Sequence, residues 1–257
     1  MTTISVIMSA HNECDYIGAA IRSIQQQDMS DWELIIIDDG STDNTYNTIK
    51  HLPEKDPRIK LMRNIHNLGL AASLNKALAN ARGQFIARMD GDDVSLPTRF
   101  SHQLSFLQEH PDIDVLGAGM IEIDSRGHPI RETYCPEKHE EIISHIYKEC
   151  PFIHPTVIAR REFFDTLGGY NKTLRRAQDY DLWLRGYKQF RYHNLQMPLI
   201  YYRRSASDYR SSAYSSYVLW RAVKRDKRLL SHGWYALRPL LAALLMTVQR
   251  KTFQTRE

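Results

Sequence analysis

Apolar and polar positions along the first hundred residues alternate between two periods. Ile4-Ser-Val-Ile-Met8 and Leu34-Ile-Ile-Ile37 are short apolar runs, each the length of a buried strand. Between them Tyr16, Ile17, Ala20, Ile21 and Ile24 recur at three- and four-residue spacing, the stripe of an amphipathic helix. The cycle repeats, predicting a helix near 43–51, a strand near 58–63, a helix near 70–81 and a strand near 84–89. Strands alternating with helices predict an α/β fold whose parallel sheet is covered on both faces. Such sheets take ligands outside the carboxyl ends of their strands. Beyond residue 97 the pattern loosens. Phe100, Leu104 and Leu107 mark a helix ending before Pro111, 113–123 reads as a strand, and 163–167 and 179–187 read as helical segments flanking the Gly168-Gly169 turn. This part is expected to pack as a second lobe on the same sheet.

Composition changes this picture little: 42% hydrophobic and 25% charged residues are ordinary for a globular chain, so disorder is not expected over most of its length. Cys14, Cys135 and Cys150 are an odd number without CxxC or Cys/His spacing, which excludes a disulfide framework and a zinc site and suits a reducing cytosol. No basic, then apolar, leader opens the chain, and a cytoplasmic protein is expected.

Charge is distributed unevenly. Residues 201–257 carry 12 Lys/Arg against 3 Asp/Glu, and the first 200 carry 22 against 27. A basic tail on an acidic body points to an anionic partner. The apolar run 240–248 is too short for a membrane span of ~20 residues. Trp and Tyr beside Leu, with flanking basic clusters, make 218–257 a candidate interfacial anchor on the inner face of an anionic membrane. A helix docked on the body explains the same residues equally well. No nucleic-acid-binding module is present, and no nucleic-acid partner is expected.

The residues able to do chemistry follow the predicted strands. Asp90-Gly91-Asp92-Asp93 crowds carboxylates at a strand end, where they repel one another unless a cation sits among them. Mg²⁺ or Mn²⁺ takes such oxygen ligands together with substrate phosphates. Gly91 would let the backbone turn tightly. Acids that merely favour the start of the next helix are the plainer reading. Asp38 and Asp39 end another strand, where a carboxylate can accept hydrogen bonds from a ribose or a base; Ser41, Thr42 or Asp43 caps the following helix. In Gln178-Asp-Tyr-Asp-Leu-Trp-Leu-Arg185, Asp181 and Arg185 have the spacing of a surface ion pair. Asp179 is freer to face a ligand, or simply stabilises the helix start. His154, a lone histidine before Pro155, reads as structural.

Taken together, SVIMSAHN, ELIIIDDGSTDNT, NLGLAASLNKAL, ARGQFIARMDGDDVSLPTR, GGYN and QDYDLWLR resemble, in order and spacing, the inverting family 2 glycosyltransferases of GT-A fold over roughly residues 3–205. The resemblance implies a GT-A (Rossmann-like), mostly parallel sheet flanked by helices, with a helical basic C-terminal extension. It divides the chain into a nucleotide-sugar-binding half (1–96), an acceptor-binding half of the same domain (97–204) and the extension (205–257). It implies that Ala10, His11, Asn12, Asp39, Asn67, Arg88, Asp90 and Gly91 line the nucleotide-sugar site. Asp90 and Asp92 would form the metal-binding DxD, Asp92 as the direct ligand of Mn²⁺ or Mg²⁺, with Asp93 assisting. Asp179 matches the general base, and His154 and Gln178 are candidate assisting groups. Gln178 stands where many relatives carry Glu, and Leu74 where Arg is frequent; Arg203 and Arg204 could replace that cation by closing over the diphosphate.

The expected reaction moves a hexose or N-acetylhexosamine from a UDP-sugar to a hydroxyl of a saccharide or lipid-linked saccharide, with inversion. Products of the kind found in lipopolysaccharide or capsule are expected. Two alternatives stay open: transfer to a polyprenyl phosphate, and a degenerate transferase that binds nucleotide sugar or a partner enzyme without chemistry. Sugar-1-phosphate nucleotidylyltransfer is excluded, because the loop Ser9–Glu13 has no glycine.

Overall fold

The computed structural model describes residues 2–204, 215 and 218–222. In chain order the elements are β1 (Ile4–Ala10), α1 (Ile17–Gln25), β2 (Trp32–Asp38), α2 (Thr45–Ile49), α3 (Leu52–Lys55), β3 (Ile59–Arg63), α4 (Leu70–Asn80), β4 (Phe85–Asp90) and β5 (Val94–Ser95). There follow α5 (Arg99–Glu109), β6 (Val115–Ile123), β7 (Pro129–Thr133), α6 (His139–His145), a 3-10 turn at His154–Thr156, β8 (Ile158–Arg160), α7 (Arg161–Leu167), α8 (Gln178–Gly186) and β9 (Tyr192–Arg203).

Among the described residues all nine strands join one sheet in the order β3-β2-β1-β4-β8-β6-β9-β5, with β7 paired to β6. The strands β3, β2, β1 and β4 are mutually parallel, as the alternating pattern requires. Past β4 the sheet becomes mixed: β8 is antiparallel to both β4 and β6, whereas β6 and β9 are parallel. Side chains divide between two cores by strand periodicity. Val6, Met8, Leu34 and Ile36 face α1 and α5 on one side, with Phe100 and Leu104. Ile7, Ile35, Ile37 and Ile86 face the other, with Leu74 of α4, Phe163 of α7 and Trp183 of α8.

The strand β9 was not legible in the pattern, since Gln196 and Pro198 interrupt it. A register shift against Ala118–Gly119 of β6 absorbs the interruption, because a proline inside a sheet needs an irregularity. Asp181 and Arg185 pair at 2.8 Å as their spacing predicts. Asp181 is nevertheless only 4% exposed, so the pair is buried and not the surface contact expected. Part of the C-terminal extension docks on the body: residues 218–222 are helical, and Val218, Leu219 and Ala222 are buried in the core cluster of Trp183 and Ile142. Trp220 and Arg221 are exposed. The remaining basic and apolar segments to 257 lie outside the described residues. Among the described residues no helix is long and apolar enough to cross a membrane.

Trp183 has none of its surface exposed, and its ring meets Phe152 at 4.9 Å and Phe163 at 5.8 Å between centroids. Trp183→Ala is expected to cost about 3–5 kcal/mol through the cavity left behind. Urea unfolding of the two proteins, compared at equal slope, checks this.

Candidate functional site

Three strand ends gather at one edge. The registers Ala10↔Asp38 and Ser9↔Asp90 set the ends of β1, β2 and β4 side by side, so the loops after them share one cleft edge. The loop after β1 is tied to the loop after β2. Asn12, in the left-handed region at φ 58°, accepts from Thr42 N–H at 2.9 Å through its side-chain oxygen. Its own N–H donates to Ser41 Oγ at 3.1 Å, and Glu13 N–H donates to Thr45 Oγ1 at 2.8 Å. Ala10 O accepts from Asp39 N–H at 2.8 Å, and the exposed His11 ring has Nδ1 3.0 Å from Asp39 O.

Asp39 is buried, and its carboxylate is already in use. One oxygen accepts from Asn64 Nδ2 at 2.8 Å and Leu68 N–H at 2.9 Å, and the other from Gly69 N–H at 2.9 Å. Burial pulls its pKa upward, but these donors outweigh it and hold the carboxyl below its ordinary value. Asp39 thus shapes the 64–69 loop and the start of α4, with lone-pair capacity for little more than one further donor. Asn67 is exposed on that loop. Asn64, which the motifs did not single out, is the residue that reaches inward; a polar side chain one residue past a strand end was its only signal.

The turn Asp90-Gly91-Asp92-Asp93 follows β4. One oxygen from each of Asp90, Asp92 and Asp93 lies within 4.8 Å of the others. Arg88, only 2% exposed, forms an ion pair with Asp90 from the same strand. Arg203 closes the turn from β9: its N–H donates to Asp93 Oδ1 at 2.8 Å, Nε to Asp92 O at 3.0 Å and Nη1 to Asp124 O at 2.8 Å. Its guanidinium also stacks 4.3 Å from the Tyr16 ring centroid. Its Nε and Nη1 are thus engaged by backbone carbonyls, which ties the guanidinium to the acidic turn. Arg204 donates its N–H to Ile123 O at 3.1 Å and is exposed.

Glu13 was missed by motif reading. A Cβ at position 91 would collide with its carboxylate and crowd Ile17. Gly91 has no left-handed φ, so close approach, not a tight turn, is what asks for glycine there. Burial first, then the charges of Asp92 and Asp90, raise Glu13 well above the ordinary carboxylate range. Burial and Asp90 lift Asp92 to about 6, and burial, Asp90 and Asp92 raise Asp93 well above its ordinary value. Oδ2 of Asp93 and Oε2 of Glu13 are buried with no protein partner. Crowded, orphaned carboxylate oxygens are a donor set that fits a hard divalent ion.

Across the cleft, α8 brings Asp179 into its first turn. Burial raises the Asp179 carboxyl, countered by Tyr180 N–H and by Arg88. The Cys150 thiol lies 3.8 Å from Asp179 Oδ2. Gln178 is buried beside it, its Oε1 without a partner. His154 sits under this side, Nε2 2.9 Å from the Tyr170 hydroxyl. Burial and then Arg88 hold its imidazole well below the ordinary value and so neutral. That is the structural histidine its setting before Pro155 predicts.

The model of "Glycosyl transferase family 2" matches residues 5–168. Over 252 residues, 94% of this chain and 89% of the relative, the sequence is 38% identical to EpsE of Bacillus subtilis, a protein named as a glycosyltransferase. The chain belongs to glycosyltransferase family 2. This glycosyltransferase is also 34% identical, over 83% of its length and 84% of the relative's, to the O-antigen biosynthesis glycosyltransferase WbnJ of Escherichia coli. In fold it matches Staphylococcus aureus TarS 1–349 solved with UDP-GlcNAc, at a TM-score of 0.69 and 23% identity. That match covers 86% of the glycosyltransferase and 66% of the TarS chain. The architecture is the GT-A fold that the motifs implied.

Carboxyl groups raised in the folded state contribute stability that is full below the unfolded carboxylate range near pH ~4 and is lost as pH rises through the folded pKa. For Asp92 that loss runs from the unfolded range up to about 6 and is complete just above it. Chelator-treated glycosyltransferase is expected to melt lower at about pH 7.5 than at about pH 5.5, and Asp92→Asn to flatten the decline. Calorimetric melts of both proteins across that range check it.

Proposed function

We propose that this glycosyltransferase moves a hexose or N-acetylhexosamine from UDP to a hydroxyl of a saccharide or lipid-linked saccharide, with inversion. The observation that carries the reading is the cluster of Asp90, Asp92 and Asp93 at the end of β4, with Asp179 in the first turn of α8 feeling the charge of the same Arg88 that acts on Asp92. The TarS complex with UDP-GlcNAc supports the donor class, and the O-antigen relative supports the acceptor class.

Asp90 and Asp92 would hold Mn²⁺ or Mg²⁺ with Asp93 assisting, and Asp90 is also paired with Arg88. A bound ion would stabilise charge on the departing diphosphate. Arg88 supplies a fixed positive charge beneath the same turn, and Arg203 holds the turn's backbone in place. His11 and Asn12 border the nucleoside end, where the Asp39-supported loop carrying Asn67 forms the opposite wall. Asp179 takes the proton of the acceptor hydroxyl as that oxygen attacks the anomeric carbon. Its raised pKa makes it a stronger base than an ordinary carboxylate. Membrane contact through 218–257 would use the outward side of the docked 218–222 turn and the basic residues beyond.

Asp92→Ala is expected to lose metal-dependent UDP binding with the fold intact; calorimetry with Mn²⁺ or chelator reads this, and equal wild-type affinity in both would overturn the metal assignment. Asp179→Asn is expected to bind donor normally while turnover falls by about 10²–10⁴. Single-turnover assays check it, and an unchanged rate would move the base elsewhere.

A further inference from the structure

We propose that Asn75 is a positioning residue that hangs the base-bearing helix α8 on α4, the helix whose start is held by Asp39; this rests on Asp179 being the base. Asn75 lies mid-way along α4 and pairs with one backbone unit as a strand would. Its Nδ2 donates to Tyr170 O at 2.7 Å, and Tyr170 N–H donates to its Oδ1 at 2.8 Å. The turn is shaped around this contact: Gly169 has φ 70°, and a Cβ there would collide with Asn75 Oδ1.

From the other side, α8 grips the same turn through Arg185. Its Nη1 donates to Leu167 O at 2.6 Å, its Nη2 to Gly169 O at 2.6 Å, and its Nε to Asp181 Oδ2 at 2.8 Å. Asp181 is two residues beyond Asp179 on that helix. The Tyr170 ring returns toward the cleft, where its hydroxyl meets His154.

At its start, α4 is fixed to the nucleoside end. Gly69 N–H is bonded to Asp39, and Ser73 Oγ accepts from Asn64 Nδ2 at 2.9 Å while that amide also holds Asp39. One rigid helix therefore carries the donor-side loop and, through a single amide, the turn that Arg185 of α8 grips, so that Asn75 adds a polar tie to the aromatic packing that seats α8. Misplacing a catalytic group by on the order of 1 Å costs about 10²-fold in rate. Asn75 touches neither proposed substrate, so its loss falls on kcat and spares donor affinity.

The test compares Asn75→Ala, Gly169→Ala, the double variant and Ala79→Gly, an exposed α4 position that weakens the helix while leaving the Asn75–Tyr170 hydrogen bonds in place. Asn75→Ala is expected to lower kcat about tenfold or more, with donor KM and calorimetric UDP-sugar Kd within about twofold of wild type. Gly169→Ala is expected to reproduce that split, and to cost less when Asn75 is already Ala. Ala79→Gly should lower Tm comparably and keep kcat. Wild-type kcat in Asn75→Ala, with Asp179→Asn inactive, overturns the inference; so does an equal kcat loss in Ala79→Gly. If Asn75→Ala does not fold, Gly169→Ala carries the same test alone: a kcat loss at unchanged donor Kd supports it, and wild-type kcat overturns it. Full turnover in Asp179→Asn overturns the base assignment first and this inference with it, a result distinct from either of the others.

Discussion

A guanidinium with almost no exposed surface, that of Arg88, stands two residues before the end of β4, and the carboxylates of Asp90, Asp92, Asp93 and Glu13 crowd around it. Burying Arg88 without a counter-charge would be prohibitive, and crowding four carboxylates, with Asp93 buried among them, without a cation would be costly too. Each makes the other tolerable. The arrangement is stiffened from below by Arg99, which is fully buried and donates to Arg88 O at 2.9 Å and to Val157 O at 3.3 Å. Gln103 bonds both Arg99 Nε at 3.0 Å and Thr156 O at 2.7 Å, so α5 and the 3-10 turn brace the same strand. The acidic turn is thus mounted on a buried polar framework that resists collapse when its net negative charge is unrelieved.

The two ends of the cleft are built by different means. On the nucleoside side, short loops after β1 and β2 are cross-linked by side-chain oxygens of Asn12, Ser41 and Thr45 acting on neighbouring backbone. Across the cleft, aromatic packing does the equivalent. Phe152, Phe163, Trp183 and Tyr192 interlock edge to face and stacked, and α8 takes its position from that cluster. Hydrogen bonds are directional and fix loops closely. Aromatic contacts fix an element's depth and tilt but leave its rotation to polar ties such as those of Arg185.

Legibility from sequence followed the same division. Every element from β1 to β4 except the short α3 was readable, because buried parallel strands are continuous apolar runs and the intervening helices keep a clean stripe. The acidic turn stood out as crowded carboxylates at a strand end, whereas Asp179 stood out only through the resemblance, since an acid in a first helical turn also stabilises the helix start. β7 and β9 were not, being polar or interrupted strands whose pairing depends on a distant partner and a register shift. Glu13 and Asn64 escaped for a related reason: each acts on residues tens of positions away, and nothing local distinguishes it from a surface residue. Arg203 was noticed for its charge, but only its backbone partners reveal that it binds the turn.

The Glu13 carboxylate fills the space that a side chain at position 91 would need. The middle letter of the acidic motif is usually treated as free to vary. In this glycosyltransferase it is written from seventy-eight positions upstream, in the loop after the first strand. Drift at the two sites is therefore not independent. A lineage that fills position 91 must first shorten or swing residue 13, and one that shortens residue 13 opens a void beneath the acidic turn. The two positions should vary as a pair.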